Sequence, residues 1–126
     1  MTRAGCRGAL ERAPWLLPVA WAVSRGVPCD HTVLAEELGI PARLARSLVY
    51  YARRWGLCGG CPGLAVARKG REYAAVTPGY VLYAVVRGRK VRGVALSRSG
   101  VEGREGRRLL ERALLVLDEF SADELS

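Results

Sequence analysis

Residues 41–55 carry the side chains with the clearest chemistry in this sequence. At the helical period of about 3.6 residues, one side of the segment is apolar. The other side collects four arginines, a serine and a tyrosine: Arg43, Arg46, Ser47, Tyr50, Arg53 and Arg54. No acid lies among them, whereas a solvated helix normally mixes both signs of charge. Guanidinium groups bind phosphates and guanine edges through paired hydrogen bonds. The pattern therefore predicts an anion-binding helix that fits the major groove of DNA.

The charge of the whole chain supports the same interpretation. Its 126 residues include 20 bases and 12 acids, which gives a formal net charge of +8. Between Leu38 and Val101, twelve bases accompany a single acid, Glu72. A long stretch of one sign repels itself unless an anion lies against it. We therefore expect nucleic acid as the partner, with an acidic membrane surface or a merely solvated basic surface as alternatives.

Several classes of protein are disfavoured by composition. Half of the residues are hydrophobic, so the chain is expected to fold. No apolar run reaches the roughly 18 residues of a membrane span, and the N-terminus lacks the layout of a signal peptide. We expect a cytoplasmic, nucleoid-associated protein without membrane contact. The absence of asparagine and glutamine favours a hyperthermophilic source.

Catalytic patterns are missing as well. The sequence offers no Ser/His/Asp set, no glycine loop for phosphates and no paired carboxylates outside helix faces and the acidic tail. A metal-dependent nuclease would have only Glu72 between Leu38 and Val101 to hold its ion. We predict no enzymatic activity, no cofactor and no small-molecule substrate.

Apolar periodicity and turn residues predict the order of the elements. Asp30 or Thr32 can cap a helix that stops at Gly39, and Pro41 suits the first position of the next. The predicted elements are a loose basic arm (1–13), helices over 14–25, 32–38 and 41–55, a hairpin around 59–63, a short helix over 68–76, strands over 80–86 and 91–96, and a last helix over 104–120.

The segment Thr32–Cys58 resembles a helix-turn-helix, through the spacing Leu34-Ala35, Leu38-Gly39-Ile40, Leu48 and Gly56-Leu57. Leu64–Tyr73 is similar to the second wing strand and following helix of winged-helix regulators, and small archaeal ones are the comparison we favour. The resemblance covers residues 15–73, nearly half of the chain. It implies an α+β fold: a winged helix-turn-helix with a C-terminal β-hairpin and a long helix. The implied division is an arm (1–13), a winged-helix domain (14–76) and a hairpin with a helix (77–126).

The resemblance also implies a function, namely that of a transcription regulator that binds double-stranded DNA. Arg43, Arg46, Ser47 and Tyr50 would contact bases or phosphates, and Arg53 and Arg54 the backbone. The predicted wing tip, Gly59–Gly63, carries no base, so Arg68, Lys69 and Arg71 would replace it. Two alternatives stay open. One is a winged-helix protein-interaction module within a larger nucleic-acid-processing assembly, and the other is an RNA-binding protein.

The cysteines Cys6, Cys29, Cys58 and Cys61 allow three interpretations. Cys58 and Cys61 have metal-ligand spacing, and Cys29 and His31 can supply two more ligands. Yet one CxxC is half a zinc site, and Cys29 is expected about 10 Å from Cys58 across two strand spacings. A disulfide is also open. Buried thiols are the simplest interpretation, so we predict no metal and a solvated His31.

Two features of the C-terminal part of the chain also suggest binding surfaces. A basic hairpin can reach phosphates or be a solvated turn: Arg87, Arg89, Lys90 and Arg92. A leucine face on the last helix predicts a homodimer, which would read half-sites about 34 Å apart. Its predicted interface is Leu109, Leu110, Leu114, Leu117 and Phe120. The alternative is that this face packs on its own hairpin.

Overall fold

The structure is a computed structural model that describes the backbone of residues 5–125 and the side chains of residues 5–118. Within this part the fold is α+β, with five α-helices and one four-stranded antiparallel sheet. The helices are α1 (Gly5–Arg12), α2 (Leu17–Ser24, after a 3-10 turn at Pro14–Leu16), α3 (His31–Leu38), α4 (Ala42–Arg54) and α5 (Gly103–Leu125). The strands are β1 (Val66–Lys69), β2 (Glu72–Val76), β3 (Tyr80–Arg87) and β4 (Lys90–Ser97).

The sheet is a meander in which each strand pairs with the next along the chain. Its strands are apolar on both faces, as in a sheet that is covered twice. The face that includes Tyr73 and Leu82 packs on the helices of the N-terminal half. The opposite face, which includes Tyr83 and Val81, packs on α5. The described chain therefore has three layers: the N-terminal helices, the sheet and α5.

The helical layer touches the sheet most closely at Gly93 in β4. A Cβ atom on this residue would lie within 2.6 Å of the carbonyl carbon of Pro14 and 2.8 Å of the Cα of Trp15. Real Cβ atoms do not approach backbone so closely, and backbone cannot move aside as a flexible side chain can. Glycine is thus required at this position by packing, because the 3-10 turn lies directly on the strand.

The prediction for residues 57–76 was wrong. Residues 57–65 form turns in place of paired strands, and residues 68–76 form the β1–β2 hairpin in place of a helix. The hairpin turns at Gly70, whose φ of 63° suits a two-residue connection between Lys69 and Glu72. Gly70, which follows Lys69, therefore forms the turn between two strands. The helix that the resemblance implied there does not form.

Two further predictions are corrected by burial. Residues 5–12 are helical and bury Ala9 and Leu10, so this part of the expected loose arm belongs to the core. Leu109, Leu110 and Leu117, expected at a dimer interface, pack against the α5 side of the sheet. The physical reason is that the second apolar face of the sheet needs a cover. Leu114 is exposed, and the side chain of Phe120 lies outside the described residues.

Most of the remaining helices and strands lie where the sequence predicts them. The helices expected over 32–38 and 41–55, the strands expected over 80–86 and 91–96 and the last helix are confirmed within a few residues. The boundary predicted between residues 76 and 77 falls between two paired strands, so one sheet continues across it. Among the described residues, no helix is long and apolar enough to cross a membrane.

We expect Gly93→Ala to lower the free energy of unfolding by about 1–3 kcal/mol, because the added methyl group forces the 3-10 turn away from β4. Gly79→Ala is the matched control: a Cβ at Gly79 meets nothing within 4 Å. Denaturant unfolding followed by circular dichroism measures both. Equal midpoints for the two variants would contradict the close approach.

Candidate nucleic-acid interface

The helices α3 and α4 begin and end where the sequence supplies capping residues. The Asp30 carboxylate accepts the backbone N–H groups of Thr32 (3.1 Å) and Val33 (3.2 Å) at the start of α3. Gly39 ends this helix in the left-handed conformation, with φ of 65°. Pro41 precedes α4 with an extended backbone. A turn of three residues, 39–41, therefore sets α4 against α3.

One side of α4 is part of the main core, as its period predicts. Ala45, Leu48, Val49 and Ala52 are buried among residues of α2, α3 and the sheet. Burial of this side fixes the rotation of α4 about its axis. The opposite side of the helix must therefore face solvent.

The solvent side of α4 is the surface that the arginine pattern predicted. Each of its six residues is exposed: Arg43, Arg46, Ser47, Tyr50, Arg53 and Arg54. Among the described residues, no acidic side chain forms an ion pair with any of these four arginines. The helix thus presents four uncompensated positive charges on one face. We call these six residues the α4 face.

The structure adds His31 to this surface. A shallow cleft of about 510 Å³ runs along α4 and is lined by His31, Arg46, Val49, Tyr50, Arg53 and Arg54. His31 is the first residue of α3, so the turn between the helices brings it beside the arginines. Spacing along the sequence gave no sign of this contact, because residues of two helices meet here.

Aromatic rings connect α4 to the 3-10 turn. Tyr51 packs edge-to-face on Tyr50, with ring centroids 5.0 Å apart, and on Trp15, with centroids 5.3 Å apart. Tyr51 remains 38% exposed and sequence reasoning did not select it. The adjacent tyrosines, Tyr50 and Tyr51, were the available sign of an exposed aromatic contact, since neighbouring residues on a helix cannot both face the core. The three rings hold the middle of α4 against the element that lies on β4.

Two disulfides flank the helix pair. Cys29 bonds to Cys58, with Cα atoms 5.5 Å apart, and Cys6 bonds to Cys61, with Cα atoms 5.6 Å apart. The interpretation as buried thiols and the expected separation of Cys29 and Cys58 were therefore wrong. The expected separation assumed paired wing strands, whereas residues 57–65 turn back toward α1 and the start of α3. Among the described residues, no group of three His, Cys, Asp or Glu side chains could hold a metal ion.

The Cys29–Cys58 disulfide joins the residue before the Asp30 cap to the loop that follows α4. The Arg53 guanidinium also reaches this point, since its Nη2 donates to the carbonyl oxygen of Cys29 over 3.3 Å. The bridge and the hydrogen bond together fix the two ends of the helix pair. The disulfide thus helps to position the α4 face but is not part of it. Arg53 belongs to the α4 face and also makes this hydrogen bond.

The basic residues expected near a wing lie in the β1–β2 hairpin. Lys69 and Arg71 are exposed at its turn, whereas Arg68 is half-buried. The Arg68 guanidinium stacks on Trp21 at 4.7 Å and on Tyr73 at 5.4 Å, and its Nε donates to the Gly70 carbonyl oxygen over 2.8 Å. Burial raises the pKa of Tyr73 to about 12, although the charge of Arg68 acts in the opposite direction. Arg68 therefore serves packing.

The second basic hairpin forms as predicted. Its four basic residues are exposed at or near the turn between β3 and β4: Arg87, Arg89, Lys90 and Arg92. Because β3 pairs with β2 and β4 pairs with β3, this group and Lys69–Arg71 lie at one end of the sheet.

Comparison with known proteins identifies no relative of this chain. No family model matches it, and neither the curated proteins nor the solved structures contain a significant match. Its function is therefore inferred from the geometry and chemistry of the described residues.

Removal of the Cys29–Cys58 disulfide by Cys29→Ala and Cys58→Ala should lower the free energy of unfolding by about 3 kcal/mol. The bridge closes a loop of 29 residues, and the open chain gains entropy when it unfolds. Hydrogen exchange should increase most in α3 and α4, because their ends are no longer joined.

The double variant Cys6→Ala and Cys61→Ala is the control, since it removes the other bridge and leaves the ends of α3 and α4 tied. Its exchange should increase mainly in α1. Four free thiols in a titration of the denatured, non-reduced protein would contradict both pairings.

Proposed function

We propose that this protein binds duplex DNA by placing α4 in the major groove, as helix-turn-helix transcription regulators do. The observation that carries the proposal is the α4 face, where four exposed arginines lack an acidic partner among the described residues. Such a face repels itself in the free protein and is relieved by an anion. Transcription regulation is the role that we propose for this binding.

The dimensions of α4 suit this partner. Its 13 residues span about 20 Å, and a helix of ordinary diameter enters the major groove. Arg43, Arg46 and Ser47 lie in the N-terminal half, the part of a recognition helix that contacts base edges. Arg53 and Arg54 lie at the other end, where phosphates are closer. Tyr50, between them, is 56% exposed and can pack on a sugar or a thymine methyl.

A winged-helix arrangement is part of the same proposal. The β1–β2 hairpin follows α4 in the chain order of a wing, and its turn carries Lys69 and Arg71. This departs from the expected wing at Gly59–Gly63, which carried no base. The corrected position supplies the basic residues that such a hairpin needs to contact phosphates.

The homodimer stays a prediction. Of its expected interface residues, Leu114 is exposed, and its neighbour Leu115 is exposed to the same extent, 50%. A dimer through α5 would have to use this outer strip, because Leu109, Leu110 and Leu117 already cover the sheet.

We expect Arg46→Ala to weaken binding to duplex DNA by about 1–3 kcal/mol, as for a lost contact to guanine or phosphate. Arg46 is exposed at the middle of the α4 face and lines its cleft. Fluorescence anisotropy with a labelled duplex at fixed salt measures the loss.

Arg12→Ala is the charge-matched control. Arg12 is exposed at the end of α1, and its substitution removes the same charge as Arg46→Ala does. Its affinity should stay close to that of the parent protein. Equal affinities for all three proteins would exclude the α4 face as the binding surface and favour a protein-interaction role.

A second prediction concerns what the α4 face can read. Adenine is usually read by asparagine or glutamine, and this chain has neither. Selection from random duplexes should therefore return G·C positions under α4, with A·T preference arising from groove shape alone. If about five phosphates are neutralised, log K should fall with log salt at a slope of about −4 to −5. A motif dominated by major-groove adenine contacts, or a flat salt dependence, would contradict this mode of binding.

A further inference from the structure

The sheet carries a second basic surface at the end where both hairpins turn. The two turns are built alike, each from a glycine in the left-handed conformation followed by arginine: Gly70-Arg71 and Gly88-Arg89. Arg71 lies beside Val86, whose N–H donates to its carbonyl oxygen over 2.9 Å. The β3–β4 turn projects about two residues, roughly 7 Å, beyond its neighbour. We call the β3–β4 turn and its flanking residues, 87–92, the hairpin end.

Bases dominate the hairpin end because the neighbouring acids are engaged. Its exposed bases are Arg87, Arg89, Lys90 and Arg92. Glu72 pairs with Arg112 of α5, with Nε and Oε1 3.3 Å apart in one of two hydrogen bonds. Glu105, near the start of α5, is held by Arg108 over 2.8 Å, and this contact lowers the pKa of Glu105. Both carboxylates are therefore neutralised by arginines of α5.

The basic side chains of the hairpin end lie around an open cleft. A cleft of about 490 Å³ lies between β3, β4 and the first turns of α5, with Tyr83, Val85 and Leu109 in its lining. Its charged groups are Arg87, Lys90, Arg92 and the ion pair of Arg108 with Glu105. The three cations outside that pair form a place where phosphates of an extended polyanion can lie.

The cleft opens on the opposite side of the sheet from α4. Side chains alternate along a strand, so Arg87, Lys90 and Arg92 share the face of Val85 and Tyr83, which α5 covers. In contrast, α4 packs with α2 and α3 on the other face. The α4 face and the cleft thus lie on opposite sides of the sheet.

We propose that the hairpin end is a second DNA-binding surface, so that a single chain bridges two duplexes. This inference rests on the proposed function of α4, which supplies the first duplex. The hairpin end holds the second through its phosphates, since its side chains are arginines and lysines around a shallow cleft and no recognition helix is near. Binding there is independent of sequence.

A phosphate backbone fits this surface better than a membrane does. Peripheral membrane proteins insert large apolar side chains beside their bases. The exposed large apolar residues among those described all lie elsewhere: Tyr50, Tyr51, Val76, Tyr80, Leu114 and Leu115. A rim of basic side chains, whose one carboxylate, Glu105, is paired with Arg108, matches a polyanion that stays in water.

The test captures a labelled duplex on beads that carry an immobilised duplex, with the full-length protein as the only link. Arg87→Ala combined with Lys90→Ala removes a cross-strand pair of bases at the β3–β4 turn. We expect this double variant to capture about tenfold less second duplex, as for two lost phosphate contacts, while anisotropy shows unchanged affinity for one duplex. Arg7→Ala combined with Arg12→Ala removes the same charge from α1 and should capture as much as the parent protein.

The outcomes separate the two proposals. Capture that survives the hairpin-end double variant overturns the hairpin end as the second site. A parent protein that binds one duplex but never captures a second overturns bridging. Both results leave α4 binding intact. Loss of single-duplex binding in the hairpin-end variant, with none in Arg46→Ala, overturns the role of α4 and the second site together. Capture of anionic vesicles by the parent protein, reduced in the hairpin-end variant while duplex capture is not, would identify the surface as a membrane contact.

Discussion

A sheet that is covered on both faces leaves no room for charge along its strands. Helices pack on one face here and α5 packs on the other, so both sets of alternating side chains must be apolar. Charged residues can then occupy the ends of strands, the turns and the outer sides of the helices. Most of the twelve bases between Leu38 and Val101 follow this rule. Most of them gather on the α4 face and at the hairpin end, while Arg68, within a strand, has to stack on Trp21 and Tyr73.

Features set by local chemistry could be predicted from the sequence. The α3–α4 pair depends on the Asp30 cap, the left-handed Gly39 and an apolar period, and each of these signals acts within one or two helical turns. The β3–β4 hairpin was recognised because long β-branched runs flank its turn. The β1–β2 hairpin has the same Gly-Arg turn but short, alanine-rich strands, so its propensity is weak. Its strands form because β2 pairs with the edge of β3, a long-range contact that no local signal in the sequence reveals.

Features set by long-range contacts could not be predicted in this way. The pairing of four cysteines has three possible solutions, and the choice depends on where the loop after α4 returns. The leucines of α5 illustrate the same limit. A helix with a wide apolar face can cover a partner or its own sheet, and two separate hairpins show no second face that needs a cover. Once the four strands are seen as one sheet, Leu109, Leu110 and Leu117 have an internal place to pack.

The same charges that equip α4 for an anion weaken the free protein. Arg43 and Arg46, three residues apart, repel each other along the helix, and no acid of the described chain forms an ion pair with any of the four arginines. The Cys29–Cys58 bridge and the Trp15–Tyr51–Tyr50 contacts act against this repulsion, because they hold both ends and the middle of the helix pair in place. A polyanion bound to the α4 face removes the repulsion itself. A ligand that binds only the folded chain stabilises it by mass action, so the DNA binding that we propose for α4 would be coupled to folding of the α3–α4 pair through these four guanidinium groups.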